Sequence, residues 1–245
     1  MKGNDNYLVV NHKSSLDFGV YIQYPVALVH TIPDVTPTSI PGHSGDLITN
    51  NHRFQNITQT FNVYANKIDK YDTWSHLSLD FNNWLIGDTY QPFYLASMHE
   101  WYWEAYMSAP LTLTPQNDFE ATGSFSINCK PYLRRTDSLK FRPVPQLVTN
   151  TTTEYSEPIF HIVGNGDFTI TINGQDFKLS GVDGEIFIDS EEQWIYKHDI
   201  NENRASTAIF PNNDFPLLKP GQNTIKLSSG SATKFEYKPN WRKLA

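Results

Sequence analysis

The fold class is decided by a stretch near the C-terminus, Phe215-Pro216-Leu217-Leu218-Lys219-Pro220-Gly221-Gln222-Asn223-Thr224-Ile225. It joins an apolar segment to a Pro-Gly turn and then to a strand, which is how a small β-sandwich commonly closes its last edge. Short alternating segments separated by turn signals fill residues 151–245. One turn, Asn173-Gly174, is typical of a β-hairpin. We therefore predict a β-sandwich in this part of the chain.

The composition limits the classes of partner. The 245 residues are 39% hydrophobic and 14% aromatic, which is enough for one large core or two modest ones. A formal net charge of −7 argues against a nucleic-acid-binding face, because phosphates require clustered cations. The basic run Lys130 to Arg142 is interpreted as an exposed strap between domains. No signal-peptide segment or membrane span is predicted, so we expect a cytoplasmically made chain without membrane insertion or sequence-specific nucleic-acid binding.

The first part of the chain predicts another β-sandwich that carries a single helix. A long strand is expected from about Phe54 to Ala65, and a helix from Thr73 to Ile86. Asp72 can cap the start of this helix and Gly87 can end it. The apolar face of the predicted helix carries Trp74, Leu77, Phe81, Trp84 and Leu85.

Two segments predict loops rather than central strands. The proline-rich passage that ends in Ile40-Pro41-Gly42-His43-Ser44-Gly45-Asp46 is expected to be an exposed extended loop or arm, because proline and glycine disfavour a central strand. Residues 134–153 are rich in Pro, Thr and Arg and show no periodicity. We therefore predict an N-terminal domain at residues 1–133, a linker at 134–150 and a C-terminal domain at 151–245.

No constellation of residues predicts catalysis. The histidines lack paired metal-ligand spacing, and the acidic residues of 183–192 do not match a calcium loop. Cys129 alternates with Phe125 and Ile127, which indicates a buried strand thiol. We predict no catalytic residue, no metal ligand and no cofactor, and hence a protein that is not an enzyme. A glycosidase whose two carboxylates converge only in three dimensions stays open as an alternative.

Aromatic residues raise the alternative of a carbohydrate-binding, lectin-like module that recognises a saccharide. Trp101-Tyr102-Trp103 places two tryptophans on one strand face, where burial in the first sandwich is the favoured interpretation. In the second sandwich, three residues are candidates for contact with a saccharide or a partner protein: Trp194, Tyr196 and Trp241.

Several sequence blocks occur in a characteristic order along nearly the whole chain. They are Val10-Asn11-His12-Lys13-Ser14-Ser15-Leu16-Asp17-Phe18-Gly19-Val20, Ile40-Pro41-Gly42-His43-Ser44-Gly45-Asp46-Leu47, Trp84-Leu85, Ile170-Thr171-Ile172-Asn173-Gly174, Ile188-Asp189-Ser190-Glu191, the opening stretch Phe215 to Ile225, and Trp241-Arg242. In these blocks the chain resembles the distal tail protein (Dit) family of siphophages that infect Gram-positive bacteria. The chain departs from the family pattern at His43, where we expect an arginine. The resemblance therefore implies the fold of this loop but not an ion pair formed by it.

The resemblance implies a mainly β protein in two parts. The N-terminal β-sandwich, with one α-helix and a projecting loop or hairpin, would form a homohexameric ring, alone or as two rings back to back. The C-terminal sandwich would be galectin-like, of the jelly-roll type. The implied role is a baseplate hub at the virion tail tip. Its implied partners are the major tail tube protein, the tail-associated fibre or lysin protein, and receptor-binding or other baseplate proteins used in host adsorption.

For ring formation we expect contacts from the proline-rich arm, the strand that follows it and the helix. A ring subunit requires large interfaces but no active site, and such interfaces bury apolar and aromatic surface. The candidate interface residues are Ile32, Pro33, Pro37, Ile40, Pro41, Gly42, His43, Phe54, Phe61 and Val63.

Overall fold

The computed structural model describes residues 6–245, which divide into two compact units. The first unit comprises the described residues up to Leu133 together with Leu244 and Ala245, and the second comprises Arg134–Lys243. Both are built mainly from antiparallel strands, with one α-helix within the described part of the chain. The mainly β fold class is therefore confirmed.

The first unit consists of strands β1–β9, apart from the last two residues of β9, and the helix α1. Seven strands join in the order β2-β1-β7-β8-β9-β6-β3, while β4 and β5 form a separate two-stranded ribbon. The bounds are β1 Leu8–Val10, β2 Lys13–Ser14, β3 Val20–Ile22, β4 Pro33–Ser39, β5 Asp46–Phe54, β6 Ile57–Asn66, α1 Trp74–Leu85, β7 Gln91–Leu95, β8 Trp101–Pro115 and β9 Glu120–Arg135.

The core of the first unit follows from the alternation of β6 and the apolar face of α1. Side chains of a strand point alternately to its two faces, and every second residue of β6 from Ile57 to Ala65 is buried. Leu77, Phe81 and Leu85 of α1 are buried, and the ring of Phe81 lies 5.3 Å from that of Phe125. The predicted helix and its apolar face are confirmed.

Both ends of α1 differ from the prediction. The N-cap lies one residue later, and the chain does not leave the helix through a left-handed glycine. Thr73, not Asp72, is the N-cap, because its hydroxyl accepts a hydrogen bond from the backbone N–H of His76 at 3.1 Å. The chain leaves the helix at Ile86 in an extended conformation. A left-handed Gly87 is therefore not used to end the helix.

The proline-rich passage forms a hairpin rather than an irregular loop. Strand β4 pairs antiparallel with β5, and β5 ends at Phe54, so the predicted strand from Phe54 to Ala65 is in fact the end of β5 followed by β6. Prolines are tolerated here because each strand of a two-stranded ribbon has a free edge. The hairpin implied by the family resemblance is thereby found.

The second unit is a sandwich of two five-stranded sheets. Their orders are β10-β19-β12-β15-β16 and β11-β18-β13-β14-β17, and buried side chains such as Phe160, Ile170 and Ile225 form one core. The bounds are β10 Arg142–Pro143, β11 Leu147–Asn150, β12 Ile159–Val163, β13 Gly166–Ile172, β14 Gln175–Val182, β15 Glu185–Asp189, β16 Trp194–Tyr196, β17 Ala208–Ile209, β18 Gly221–Ser229, β19 Lys234–Lys238 and β20 Arg242–Leu244, whose last residue belongs to the first unit.

Residues 134–150, expected to be a linker, are part of the second unit. β10 pairs with β19 and β11 pairs with β18, and Val148 is buried. Two arginines of this segment are paired within the unit, Arg134 with Glu191 and Arg135 with Asp137. Edge strands of two and four residues are too short to show a period of two, which is why the sequence lacked a strand signal here.

The opening stretch closes the second sandwich as expected. Leu218 is fully buried, and its backbone exchanges hydrogen bonds with Ser156 at 2.9 and 3.0 Å. The side chain of Asn223, also fully buried, accepts from Lys219 N–H at 2.9 Å and donates to Lys219 O at 2.8 Å and to Gly221 O at 3.1 Å. Gly221 has the left-handed φ of +85° that the turn requires.

Three further expectations are met. Asn173 and Gly174 have φ values of +52° and +86° and join β13 to β14 in a hairpin, so that prediction is confirmed. Cys129 is fully buried, and burial raises the pKa of its thiol to about 12. Trp103 lies in the core of the first unit, and Trp101 packs against that core.

Candidate interaction surface

The hairpin of β4 and β5, which we call the arm, exposes apolar side chains. Val35, Pro37 and Ile48 share one face of the ribbon, because Pro37 pairs with Ile48 and Val35 lies two residues away. Leu47 lies on the other face. The exposed fractions are 37% for Val35, 56% for Leu47 and 57% for Ile48. Neither face of the arm is covered by the described residues.

The arm also carries very little charge. From residue 35 to residue 51, Asp46 is the only aspartate, glutamate, lysine or arginine. The outer edges of β4 and β5 have no further strand partner among the described residues. A surface that is apolar and nearly uncharged costs little to desolvate, which is typical of the centre of a protein interface.

The root of the arm is fixed by polar contacts. Arg53 donates through Nε to the carboxylate of Asp34 at 2.5 Å, and the Arg53 guanidinium holds the pKa of Asp34 below its usual value. Gln55 donates its backbone N–H to Ile32 O at 3.0 Å, and Thr31 Oγ1 donates to Gln55 O at 2.6 Å. The arm therefore leaves the first unit in a defined direction.

The tip of the arm is a turn that depends on glycine. His43 donates its backbone N–H to Ile40 O at 3.1 Å. Gly42 and Gly45 have φ values of +78° and +90°, in the region that favours glycine. A Cβ at either position would meet no atom within 4 Å, so the requirement is conformational rather than steric.

The predicted interface residues fall into two groups. Ile32, Pro33, Pro37, Ile40, Pro41, Gly42 and His43 are exposed on or beside the arm, and they remain predictions. Phe54 is half-buried, with its ring 6.0 Å from that of Tyr132. Phe61 and Val63 are only 1% and 0% exposed, so their side chains cannot contact a neighbouring subunit and the prediction is wrong for these two residues. Their alternation in β6 points them into the core.

Sequence reasoning missed Leu47 and Ile48. The sequence predicts a strand that begins only at about Phe54, whereas the structure places both residues in β5, which begins at Asp46. The sequence does contain a signal for this strand, because Leu47 and Ile48 directly follow the turn residues Gly45-Asp46, and a turn followed by apolar residues indicates a strand.

The three aromatic candidates of the second unit lie in two different environments, two of them on a sheet face and one in the core. Trp194 and Tyr196 lie on the same outer face of β16, with Trp194 46% exposed. The ring of Tyr196 stacks on Phe187 at 5.0 Å, and Phe187 stacks on His161 at 4.1 Å. Trp241 is 1% exposed and lies in the core, so it offers no surface for a saccharide or a partner.

Acidic groups of the structure are held ionised. Glu185 contacts His161 at 2.9 Å and also contacts His198, and these hydrogen bonds lower its pKa. Six carboxyl groups of the described residues have a lowered pKa, which is opposite to the shift that a general acid requires. These groups are Asp34, Asp80, Glu120, Asp137, Asp183 and Glu185.

Residues 6–245 contain neither a metal-binding cluster nor a helix that could span a membrane. No group of three or more His, Cys, Asp or Glu side chains is arranged to hold a metal ion. No helix in the same range has the length and apolarity needed to cross a membrane.

Known proteins match the chain in structure and not in sequence. No protein-family model and no curated protein matches it. The crystal structure of the Dit protein of phage SPP1 matches with a TM-score of 0.68 and 15% identity, over 95% of this chain and 96% of that one. The chain has the Dit fold. SPP1 Dit is described as a paradigm of the hub adsorption apparatus in phages that infect Gram-positive bacteria. The resemblance inferred from the sequence blocks is confirmed at the level of the fold.

Proposed function

We propose that the protein is a structural hub of a siphophage tail tip or baseplate. One observation carries the proposal: the match to SPP1 Dit extends over both units and nearly the full length of both chains. A shared sandwich alone would say little, since sandwiches host many functions. A match that covers both units is a much narrower resemblance.

The hub would assemble as a homohexameric ring, singly or as two rings back to back. Ring closure requires a heterologous contact, in which two different surfaces of the subunit meet. The arm supplies one such surface, because Leu47 and Ile48 are exposed and nearly uncharged residues surround them. Its prolines restrict the free arm, so less conformational entropy is lost on contact.

The ring would join the major tail tube protein to the tail-associated fibre or lysin protein. The second unit would carry receptor-binding or other baseplate proteins, and its outer sheet face with Trp194 and Tyr196 is the candidate contact. Exposed tryptophan and tyrosine are enriched at protein interfaces because they bury large areas while keeping a polar group. The protein would reside in the virion, at the tail tip, and would perform no chemistry.

Location in the virion tests this proposal. Antibodies raised against the purified chain should label the distal end of the tail in immunogold electron micrographs of virions that contain it. Antibodies against the capsid serve as the control for specific labelling. Label on the capsid, along the whole tail, or nowhere on intact virions would contradict the hub role.

A further inference from the structure

An open groove of about 520 Å³ lies in the first unit, between α1 and the end of β8. None of the residues that line it is charged, and the apolar ones are Trp74, Leu79, Leu113 and Pro115. Leu79 is 60% exposed although it lies in the middle of the helix. The first unit therefore has a second exposed apolar surface in addition to the arm.

The half-buried polar side chains of the groove already have hydrogen-bond partners. Asn82 donates through Nδ2 to Leu111 O at 3.3 Å and accepts the backbone N–H of Leu111 at 2.7 Å. Ser78 Oγ donates to the same carbonyl at 3.0 Å. A partner that covers Ser78 and Asn82 leaves these bonds intact, so this part of the groove costs little to desolvate.

One end of the groove carries a cation. Lys67 is half-buried, and its Nζ lies 5.9 Å from the centre of the Trp74 ring. It forms no ion pair with a carboxylate of residues 6–245. Trp74 is the first residue of α1 and Leu79 is the sixth, so they are about 7.5 Å apart along the helix axis. A partner that fits this end needs an anion about 7 Å from an apolar side chain.

One face of the arm has this pattern. Asp46 and Ile48 are two residues apart in β5, so their side chains point to the same face of the ribbon, about 7 Å apart. Asp46 is exposed, and Pro37 lies on the same face because it pairs with Ile48. This face of the arm therefore presents one anion beside an apolar surface.

We propose that the arm of one copy docks into the α1–β8 groove of the next copy around the ring. Asp46 of the first copy meets Lys67 of the second, and Ile48 packs against Leu79. The inference rests on the proposed ring and identifies the second surface that a heterologous contact requires. Apolar burial supplies most of the affinity, while the single ion pair fixes the register of the arm in the groove.

Cross-linking of mixed subunits tests which surfaces meet. Two variants of the full chain are co-expressed, Ile48→Cys in the arm and Leu79→Cys in the groove. Native Cys129 is fully buried, so it does not compete when a short bismaleimide is quenched before denaturation. The mixture should give a covalent dimer on a denaturing gel, whereas each variant alone should give only monomer. Ile209→Cys, at a residue 69% exposed in the second unit, is the matched control and should cross-link to neither.

Charge reversal tests the ion pair. Asp46→Lys or Lys67→Glu should each raise the concentration of half-assembly, measured by mass photometry, by at least about tenfold, because like charges then face each other. The double variant should return this concentration to within about threefold of the wild-type value, which excludes misfolding as the cause of the single effects. Lys226→Glu makes the same charge change at an exposed lysine of the second unit and should assemble normally.

The outcomes distinguish this docking from the ring itself. A wild-type ring whose mixed variants give no dimer would overturn the docking and leave the hub role standing. A dimer from Ile48→Cys alone would do the same, because it indicates contact between two arms, and so would single charge reversals that assemble normally or that the double variant does not rescue. A monomeric wild-type chain would contradict the proposed ring, and the docking with it.

Discussion

The arm and the second sandwich use the same secondary structure, but they differ in what covers their apolar side chains. Ile48 on the arm is 57% exposed, whereas Ile170 and Ile225 in the sandwich are 0% and 1% exposed. A two-stranded ribbon has no opposing sheet and is marginally stable by itself, while two packed sheets bury each other's inner faces. The sandwich therefore completes its own core, whereas the arm presents apolar surface that residues 6–245 leave exposed.

The largest expected effect is on the free energy of unfolding, and it distinguishes buried Trp241 from half-exposed Trp194 in the second sandwich. Trp241→Ala should lower the free energy of unfolding by about 3–5 kcal/mol, because it empties a fully packed core position. Trp194→Ala and, on the arm, Ile48→Ala should each change it by less than about 0.5 kcal/mol. Urea unfolding followed by circular dichroism measures all three. Equal losses for Trp194→Ala and Trp241→Ala would contradict the burial pattern.

An intermediate effect on stability is expected for a buried asparagine of the second unit and not for an exposed asparagine of the arm. Asn223→Ala should destabilise the second unit by about 1–3 kcal/mol, because backbone groups of Lys219 and Gly221 lose their buried partner. Asn51 is an exposed asparagine of the arm that donates to Thr36 Oγ1 at 3.2 Å. Asn51→Ala should cost under about 0.5 kcal/mol in the same urea experiment. A larger loss at Asn51 than at Asn223 would reverse the comparison.

The smallest effect is a pH dependence at the root of the arm. The pKa of Asp34 is lowered by Arg53, so the contact stabilises the arm above the unfolded-state pKa of about 3.9 and is lost as the pH falls through the lower folded-state value. Hydrogen exchange of arm amides should therefore accelerate relative to an unstructured reference peptide as the pH falls below about 4. Asp34→Asn should exchange faster at pH 7 and lose this pH dependence. An unchanged pH profile in that variant would exclude Asp34 as the cause.

Much of the fold could be predicted because its elements are long or carry strong local signals. The helix, the buried alternation around Cys129 and the Asn173-Gly174 hairpin all have a period or turn type that is local in sequence. The short edge strands β10 and β11 could not be predicted, because they are defined by their pairing with β19 and β18 far along the chain.

The candidate surfaces were predictable only in part. Alternation shows which residues share a face of a strand, but not whether that face is covered. Ile48 and Phe61 both lie in strands, but only the three-dimensional structure shows that Ile48 is exposed and Phe61 is buried, and the burial of Trp241 has no periodic signal.

The mass of the native assembly tests the central claim most directly. Native mass spectrometry of the full chain at micromolar concentration should give six times the 28.1 kDa chain mass, or twelve times for two rings. Ile48→Asp, or replacement of residues 36–49 by Asn-Gly, should shift the mass to the monomer. The matched control Ile209→Asp, at a residue 69% exposed in the second unit, should keep the ring. A monomeric wild-type chain, or a ring that survives loss of the arm, would contradict the account.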